Sequence, residues 1–179
     1  MLSFVGDVYC DNADESRTTR AALELLNAYN APVAVLSKGG SKMLRDIDIF
    51  KAFGSRIAVG TTLTFFDKDK SSEWEPFASS LVERLETLKA LHDSGIKTFA
   101  SFEPTLEPKE SLQLIEKTIS DGSVYHYKIG KINHCGDVDK WQNWQQYLID
   151  CLALLRPAQK EVYYKFCDRL KRKFAINSV

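Results

Sequence analysis

The sequence contains no cluster of cysteines. Its four cysteines are far apart along the chain, and no pair has the close spacing of a zinc or iron–sulfur site. They are Cys10, Cys135, Cys151 and Cys167. We interpret them as free thiols, which predicts a reduced, cytoplasmic protein.

The chain also has no excess of charge of either sign. Its 24 Lys and Arg residues balance 24 Asp and Glu residues, so the formal net charge is zero. Proteins dedicated to nucleic-acid binding are usually basic overall, so this balance makes a nucleic-acid partner less expected but does not exclude one.

Long apolar runs and glycine-rich cofactor motifs are absent too. No apolar run approaches the roughly 20 residues of a membrane helix. The first residues resemble a strand rather than a signal peptide, so no membrane association is expected. Neither the Walker pattern nor the Rossmann glycine fingerprint occurs. These absences exclude the commonest nucleotide-binding motifs.

The composition is that of a soluble globular protein. Hydrophobic residues make up 44% and charged residues 27% of the 179 residues, which is enough apolar material for a core. No linker or change of composition divides the sequence, so we predict one domain over residues 1–179.

Short apolar segments alternate with amphipathic helices along the chain. Strands are predicted at residues 2–5, 33–36, 57–63, 98–102, 124–129 and 162–166. Helices are predicted at residues 17–29, 42–53, 79–94, 109–119 and 141–155, and a polar loop at 67–76. Five or six successive βα units predict an α/β fold with a parallel sheet. We expect an open, TIM-like β/α barrel rather than a doubly wound sheet.

Polar side chains follow each predicted strand. Because the carboxyl ends of parallel strands meet at one edge, these side chains should converge on one mouth. A set of acids, lysines and hydroxyls there suits a zwitterionic or polyhydroxylated ligand. The candidates are Asp7, Lys38, Thr61, Thr62, Glu103, Lys128, Lys131 and Asn133.

Two weaker signals complete this set. Gly39-Gly40 after Lys38 offers an alternative phosphate cradle at the start of the next helix. The three histidines do not have the spacing of a metal site, so no metal ligands are predicted. We interpret His126, inside a predicted strand, as a core histidine with its hydrogen bonds satisfied.

Several segments together resemble one protein family. Phe-Val-Gly-Asp-Val-Tyr at residues 4–9 is similar to a strand and turn of that family, with Val8 where proline is usual. Val-Leu-Ser-Lys-Gly-Gly at 35–40 and Leu-Arg-Asp-Ile-Asp at 44–48 follow. Further matches are Trp74-Glu75-Pro76, Glu83-Arg84-Leu85, Ser101-Phe102-Glu103-Pro104 and residues 128–133. In this order they resemble the spore-photoproduct-lyase-like branch of radical S-adenosylmethionine (SAM) proteins over residues 2–166.

The resemblance implies roles for the candidate residues. Lys38 matches a lysine that pairs with the SAM carboxylate, and Thr61 or Thr62 supplies a hydroxyl to the same ligand. Asp7 matches an acid near the SAM amine or the cluster mouth, and Glu103 faces the cavity. The substrate side is assigned to Lys128, Lys131 and Asn133.

The resemblance also implies a [4Fe–4S] cluster. In the family three cysteines in a Cys-x3-Cys-x2-Cys loop hold it, upstream of the segment that matches residues 2–7. This sequence lacks that loop, so we do not expect this chain alone to hold the cluster. We expect the C-terminal portion of a radical SAM core without its first βα unit. An upstream segment or separate chain would then carry the cluster as a partner.

Three functions stay open at this point. The first is a catalytically incomplete radical SAM, lyase-like protein, whose parent enzyme cleaves SAM reductively to a 5′-deoxyadenosyl radical. Its substrate is unknown, with nucleic acid as one option. The second is a non-catalytic remnant that binds SAM or nucleic acid, supported by basic residues at 165–173. The third is a metal-free barrel enzyme using Glu103 as acid or base with Lys128 or Lys131.

Overall fold

The computed structural model describes residues 6–10, 13–131 and 143–165. The strands are β1 Val33–Leu36, β2 Ile57–Thr62, β3 Lys97–Thr105, β4 His126–Lys131 and β5 Glu161–Lys165. The helices are α1 Ala13–Ala28, α2 Ile47–Phe53, α3 Lys68–Trp74, α4 Leu81–Asp93, α5 Pro108–Asp121 and α6 Trp144–Leu155. Short 3-10 helices span Gly40–Asp46 and Gly54–Arg56. The strand predicted at residues 2–5 lies outside the described residues.

The five strands form one parallel sheet whose spatial order, β1-β2-β3-β4-β5, is also their order in the chain. A doubly wound sheet reverses its strand order at a switch point, and this sheet does not. The prediction of an α/β fold with an open, barrel-like parallel sheet is therefore confirmed.

Local signals in the sequence explain where the longer helices begin and end. Ser80 caps α4 by accepting a hydrogen bond from the Glu83 backbone N–H at 3.2 Å, and Asn143 caps α6 in the same way. Helix α5 begins with Pro108 and is followed by Gly122, whose φ of 69° favours glycine. No helix in the described part of the chain has the length and apolarity to cross a bilayer.

The structure corrects two predicted segments. The loop predicted at residues 67–76 contains helix α3, because the Asp67 carboxylate accepts hydrogen bonds from the backbone N–H groups of Asp69 and Lys70. The helix predicted at residues 42–53 is divided into a 3-10 helix and α2 at Asp46, whose buried carboxylate binds other parts of the chain.

The two faces of the sheet differ in their neighbours. Side chains such as Val59, Ala100 and Ile129 belong to apolar clusters with the helices. Because side chains alternate along a strand, the residues between them lie on the opposite face. We call this second face the inner face.

Candidate functional site

The inner face carries a polar row across four strands. Thr62 pairs in register with Ser101, Ser101 with Lys128, and Lys128 with Tyr163. Paired residues of neighbouring strands point to the same side of a sheet, so these four side chains lie on one face. In β/α barrels ligands bind at the carboxyl edge of the sheet, and Thr62, the last residue of β2, brings this row to that edge.

A second row, one step closer to the carboxyl edge, carries an ion pair. The Lys165 ammonium lies 2.5 Å from the Glu103 carboxylate, and Gly130 pairs with Lys165 in register. A Cβ atom on Gly130 would lie 3.0 Å from Lys165 Cβ and 3.3 Å from the Glu103 carboxyl carbon. Glycine at this position therefore leaves room for the ion pair.

Lys128 lies in a partly desolvated position on the same face. Its ammonium is 4.4 Å from the centre of the Phe99 ring, a cation–π contact. Burial lowers the pKa of Lys128, and the nearby Glu103 carboxylate opposes that shift. A half-buried ammonium next to a ring suits an anionic group on a ligand.

The turn after β1 is fixed by Asp7. One carboxylate oxygen accepts hydrogen bonds from the Ser37 hydroxyl at 2.5 Å and the Tyr9 backbone N–H at 2.8 Å. The other oxygen accepts from the Lys38 backbone N–H at 2.6 Å. Asp7 therefore holds the backbone from which the Lys38 side chain extends.

The Lys38 side chain ends in a buried ionic cluster, which we call the Lys38 cluster: Lys38, Glu75, Arg84 and Thr64. The Lys38 ammonium lies 2.6 Å from one oxygen of Glu75, which also accepts from the Thr64 hydroxyl at 2.7 Å. The other oxygen is 3.0 Å from the Arg84 guanidinium. The cluster thus joins the turn after β1 to residues that follow β2 and α3.

Arg84 is the most buried member of this cluster. It donates to the Thr62 carbonyl at 2.7 Å and to the Ser71 hydroxyl at 3.2 Å. Its side chain is 0% exposed, that of Glu75 is 5% exposed, and that of Lys38 is 35% exposed. The cluster therefore reaches solvent mainly at Lys38.

The charges within the Lys38 cluster do not cancel. Two cations, Lys38 and Arg84, share the single carboxylate of Glu75. Burial alone would raise the pKa of Glu75, but Arg84 and then Lys38 and Thr64 hold it below its usual value, so the carboxylate is ionised at neutral pH. The excess positive charge therefore lies beside Lys38, whose side chain is 35% exposed.

The glycines after Lys38 serve close packing. Gly40 has a φ of 55°, and a Cβ atom there would lie 2.6 Å from the Ser79 hydroxyl oxygen. The backbone N–H and the hydroxyl of Ser41 both donate to the Glu83 carboxylate, at 3.0 and 2.6 Å. Glu83 therefore occupies the Ser41 donors beside Gly40, and the phosphate cradle at Gly39-Gly40 stays a prediction.

The structure separates some of the predicted residues. Thr62 lies in the inner row, whereas Thr61 pairs with Ala100, a member of the helix-facing core, and its buried hydroxyl lacks a hydrogen-bond partner within the described residues. Lys131 pairs with Thr105, whose hydroxyl contacts α6, so it lies on the helix-facing side. Asn133 lies outside the described residues.

The half-buried His126 is placed at the start of β4, away from the mouth. Its Nδ1 atom lies 3.6 Å from the Glu161 carboxylate. Burial lowers the pKa of His126, and the ammonium of Lys128 adds to that shift.

Sequence reasoning gave no role to Glu75 or Arg84. A signal for Arg84 was present, because it is three residues after Leu81 and four before Leu88 and therefore shares their helix face. A charged residue on an apolar helix face predicts a buried ionic partner. The sequence did not identify Glu75 as that partner.

The described residues do not fit an iron–sulfur cluster. Within residues 6–10, 13–131 and 143–165, no group of three or more His, Cys, Asp or Glu side chains could hold a metal ion. Cys151 is buried in α6, and burial raises its pKa to about 12, which disfavours the thiolate that metal binding requires. Cys135 and Cys167 lie outside the described residues.

A cavity of about 660 Å³ lies among helices α3, α5 and α6. Its walls include Phe65, Trp74, Leu106, Leu112 and Tyr147. None of the predicted site residues is among the described residues that line it. It is therefore distinct from the inner face and the Lys38 cluster.

No protein-family model matches the sequence. A curated relative, the uncharacterized protein MJ0683 of Methanocaldococcus jannaschii, is 34% identical over 105 residues. The match covers 59% of this chain and 39% of that relative.

Solved structures with the same architecture include SuiB of Streptococcus suis bound to S-adenosylmethionine. It has a TM-score of 0.63 and 12% identity, over 86% of this chain and 37% of SuiB. A domain of pyruvate-formate lyase-activating enzyme from Bacteroides vulgatus has a TM-score of 0.61 and 12% identity, over 90% of this chain and 100% of that domain. The chain therefore shares the parallel α/β fold of these two structures.

Proposed function

We propose that this chain is the SAM-binding portion of a radical SAM protein of the spore-photoproduct-lyase-like branch. The branch assignment is supported by the ordered series of similar segments in the sequence. Because the chain spans little more than a third of the curated relative and of SuiB, the activity of the whole protein belongs to the same proposal.

One observation carries the SAM assignment: the Lys38 cluster has an excess positive charge that reaches solvent at a lysine beside the carboxyl end of β1. SAM carries a carboxylate and an amine on its methionyl part. Lys38 would bind the carboxylate through a charge-assisted hydrogen bond, and the Thr62 hydroxyl would donate from the inner row. Asp7 contributes by fixing the Lys38 backbone.

The inner face supplies the substrate side of this proposal. Lys128 offers a half-buried cation to an anionic group, and the Glu103–Lys165 pair borders the same face. In radical SAM proteins bound SAM is the source of a 5′-deoxyadenosyl radical. This chain's residues would bind and orient that ligand, while residues of an upstream segment or partner chain would hold the cluster. We propose an anionic substrate, with nucleic acid as the first candidate.

Equilibrium dialysis with labelled SAM tests the assignment. We expect the wild-type chain to bind SAM. Lys38→Met should weaken binding at least about tenfold through the lost charge-assisted bond, and Thr62→Val should weaken it less. Lys51→Met, which removes an exposed lysine of α2, is the matched control and should bind as wild type does.

The contradicting result is equal SAM binding by Lys38→Met and the control. Anaerobic reconstitution with iron and sulfide tests the second part of the proposal. We expect no cluster absorbance from this chain alone, and a bound cluster would contradict an external source of the cysteines.

A further inference from the structure

We infer that Glu75 is a positioning residue, which holds the Lys38 ammonium in place to receive the carboxylate of SAM. This inference rests on the proposed function and extends it to a residue that does not itself contact the ligand. The observation behind it is the 2.6 Å ion pair between Lys38 and Glu75.

Lys38 needs such an anchor because of the nature of its side chain. A lysine has a flexible four-carbon stem and a mobile ammonium, which samples many rotamers when it has no partner. The ammonium has three donors. One of them meets Glu75, while the 35% exposed side chain can present the others to a ligand.

Glu75 is itself held firmly enough to act as an anchor. Its two oxygens accept from Thr64 and Arg84 as well as from Lys38. Arg84 is fully buried and fixed by two further hydrogen bonds. These contacts fix the position of the Glu75 carboxylate, and the ion pair with Glu75 fixes the position of the Lys38 ammonium.

The anchor does not cancel the attraction for an anion. A simple Lys–Glu pair would be neutral, and an incoming carboxylate would meet as much repulsion as attraction. Here Arg84 supplies a second cation to the same carboxylate. The Asp7 carboxylate is outside the cluster and accepts hydrogen bonds from two backbone N–H groups and the Ser37 hydroxyl. Glu75 can thus orient Lys38 while the cluster stays positive.

The test uses two variants, because Glu75→Gln alone would leave Arg84 as a buried cation and could unfold the chain. The double variant Glu75→Gln/Arg84→Met removes the anion and the buried cation together. Thr64→Val removes one donor to Glu75 and leaves both charges in place. Glu107→Gln, which breaks a 2.7 Å pair with Lys70, is the matched control.

The probes are SAM and decarboxylated SAM, which differ at the group that Lys38 would bind. We expect the wild-type chain to prefer SAM, and the double variant to lose about two- to tenfold in SAM affinity, the cost of ordering one side chain. Its affinity for decarboxylated SAM should not change. Thr64→Val should show a smaller loss of the same kind, and Glu107→Gln none. Equal losses for both ligands would mean a purely structural role and would overturn the inference.

A ligand-free measurement separates this inference from the proposed function. Carbon and nitrogen NMR of the Lys38 side chain, assigned by its absence in Lys38→Met, reports whether the ammonium is held. Its resonances should move toward those of exposed lysines in the double variant, and unchanged resonances would overturn the anchoring role. If the wild-type chain does not bind SAM, the proposed function is overturned. The Lys38 resonances still decide in that case whether Glu75 anchors the ammonium.

Discussion

Replacing Arg84 by methionine should destabilise the chain strongly. Arg84 is fully buried on α4 and makes three contacts, with the Thr62 carbonyl, the Ser71 hydroxyl and the Glu75 carboxylate. Methionine is of similar length but leaves all three acceptors without that partner. Removing one member of a buried ion pair costs about 3–5 kcal/mol in the free energy of unfolding.

Urea denaturation followed by circular dichroism measures this change. With an m-value of about 2 kcal/mol/M, the midpoint should fall by about 1.5–2.5 M. The matched control is Lys89→Met on the same helix, where both partners of the Lys89–Asp93 pair are more than half exposed. That pair is screened by water, so the control midpoint should match wild type within error.

The pH dependence gives this prediction a second readout. Since the folded-state pKa of Glu75 lies below its usual value of 4.5, its contribution to stability is present above about pH 4.5 and is lost as the pH falls through the folded value. Without Arg84 the pKa of Glu75 rises, so the stability difference between wild type and Arg84→Met should be largest at neutral pH and shrink in acid. A difference below about 1 kcal/mol, or one that does not vary with pH, would refute the ionic explanation.

Three further outcomes are expected. Gly60→Ala should lower the free energy of unfolding by about 1–3 kcal/mol in thermal denaturation, because its Cβ atom would lie 2.3 Å from the Phe99 carbonyl oxygen. The control Gly6→Ala, which places its Cβ atom in open space, should have no effect. Equal effects of the two substitutions would contradict this prediction. Tyr147→Phe should lower the free energy of unfolding by about 1–2 kcal/mol in urea denaturation, since the Tyr147 hydroxyl forms hydrogen bonds with two buried hydroxyls. An unchanged free energy of unfolding would show that those hydrogen bonds contribute nothing. Burial lowers the pKa of His126, so the free energy of unfolding should fall as the pH drops below 6.5. His126→Gln should reduce this dependence on pH. An unchanged pH dependence in the variant would mean that other groups cause it.

The succession of strands and helices could be predicted from the sequence alone. Apolar runs such as Val33–Leu36 are local signals, and their alternation with amphipathic helices predicted a parallel α/β sheet. Helix α3 escaped prediction because its residues carry little apolar periodicity and its start depends on the side chain of Asp67. Local patterns therefore placed most elements and failed where one capping contact decided the outcome.

The candidate site was predictable only in part. Convergence of polar residues at the carboxyl edge follows from parallel strands, and it brought together Asp7 and Lys38. The face on which each residue lies follows from the alternation of side chains along its strand, once packing has decided which face meets the helices. That alternation separates Thr62 from Thr61 and Lys128 from Lys131, although the two members of each pair are close in sequence.

What the sequence by itself determined is the alternation of elements and the edge at which polar groups collect, because both follow from local periodicity. What only the tertiary structure decided is the set of ionic partners around Lys38. Its partner Glu75 is 37 positions further along the chain, and the cation that leaves the cluster positive, Arg84, comes from another helix. Such pairings depend on how distant segments pack, since burial and distance set the strength of each charge interaction.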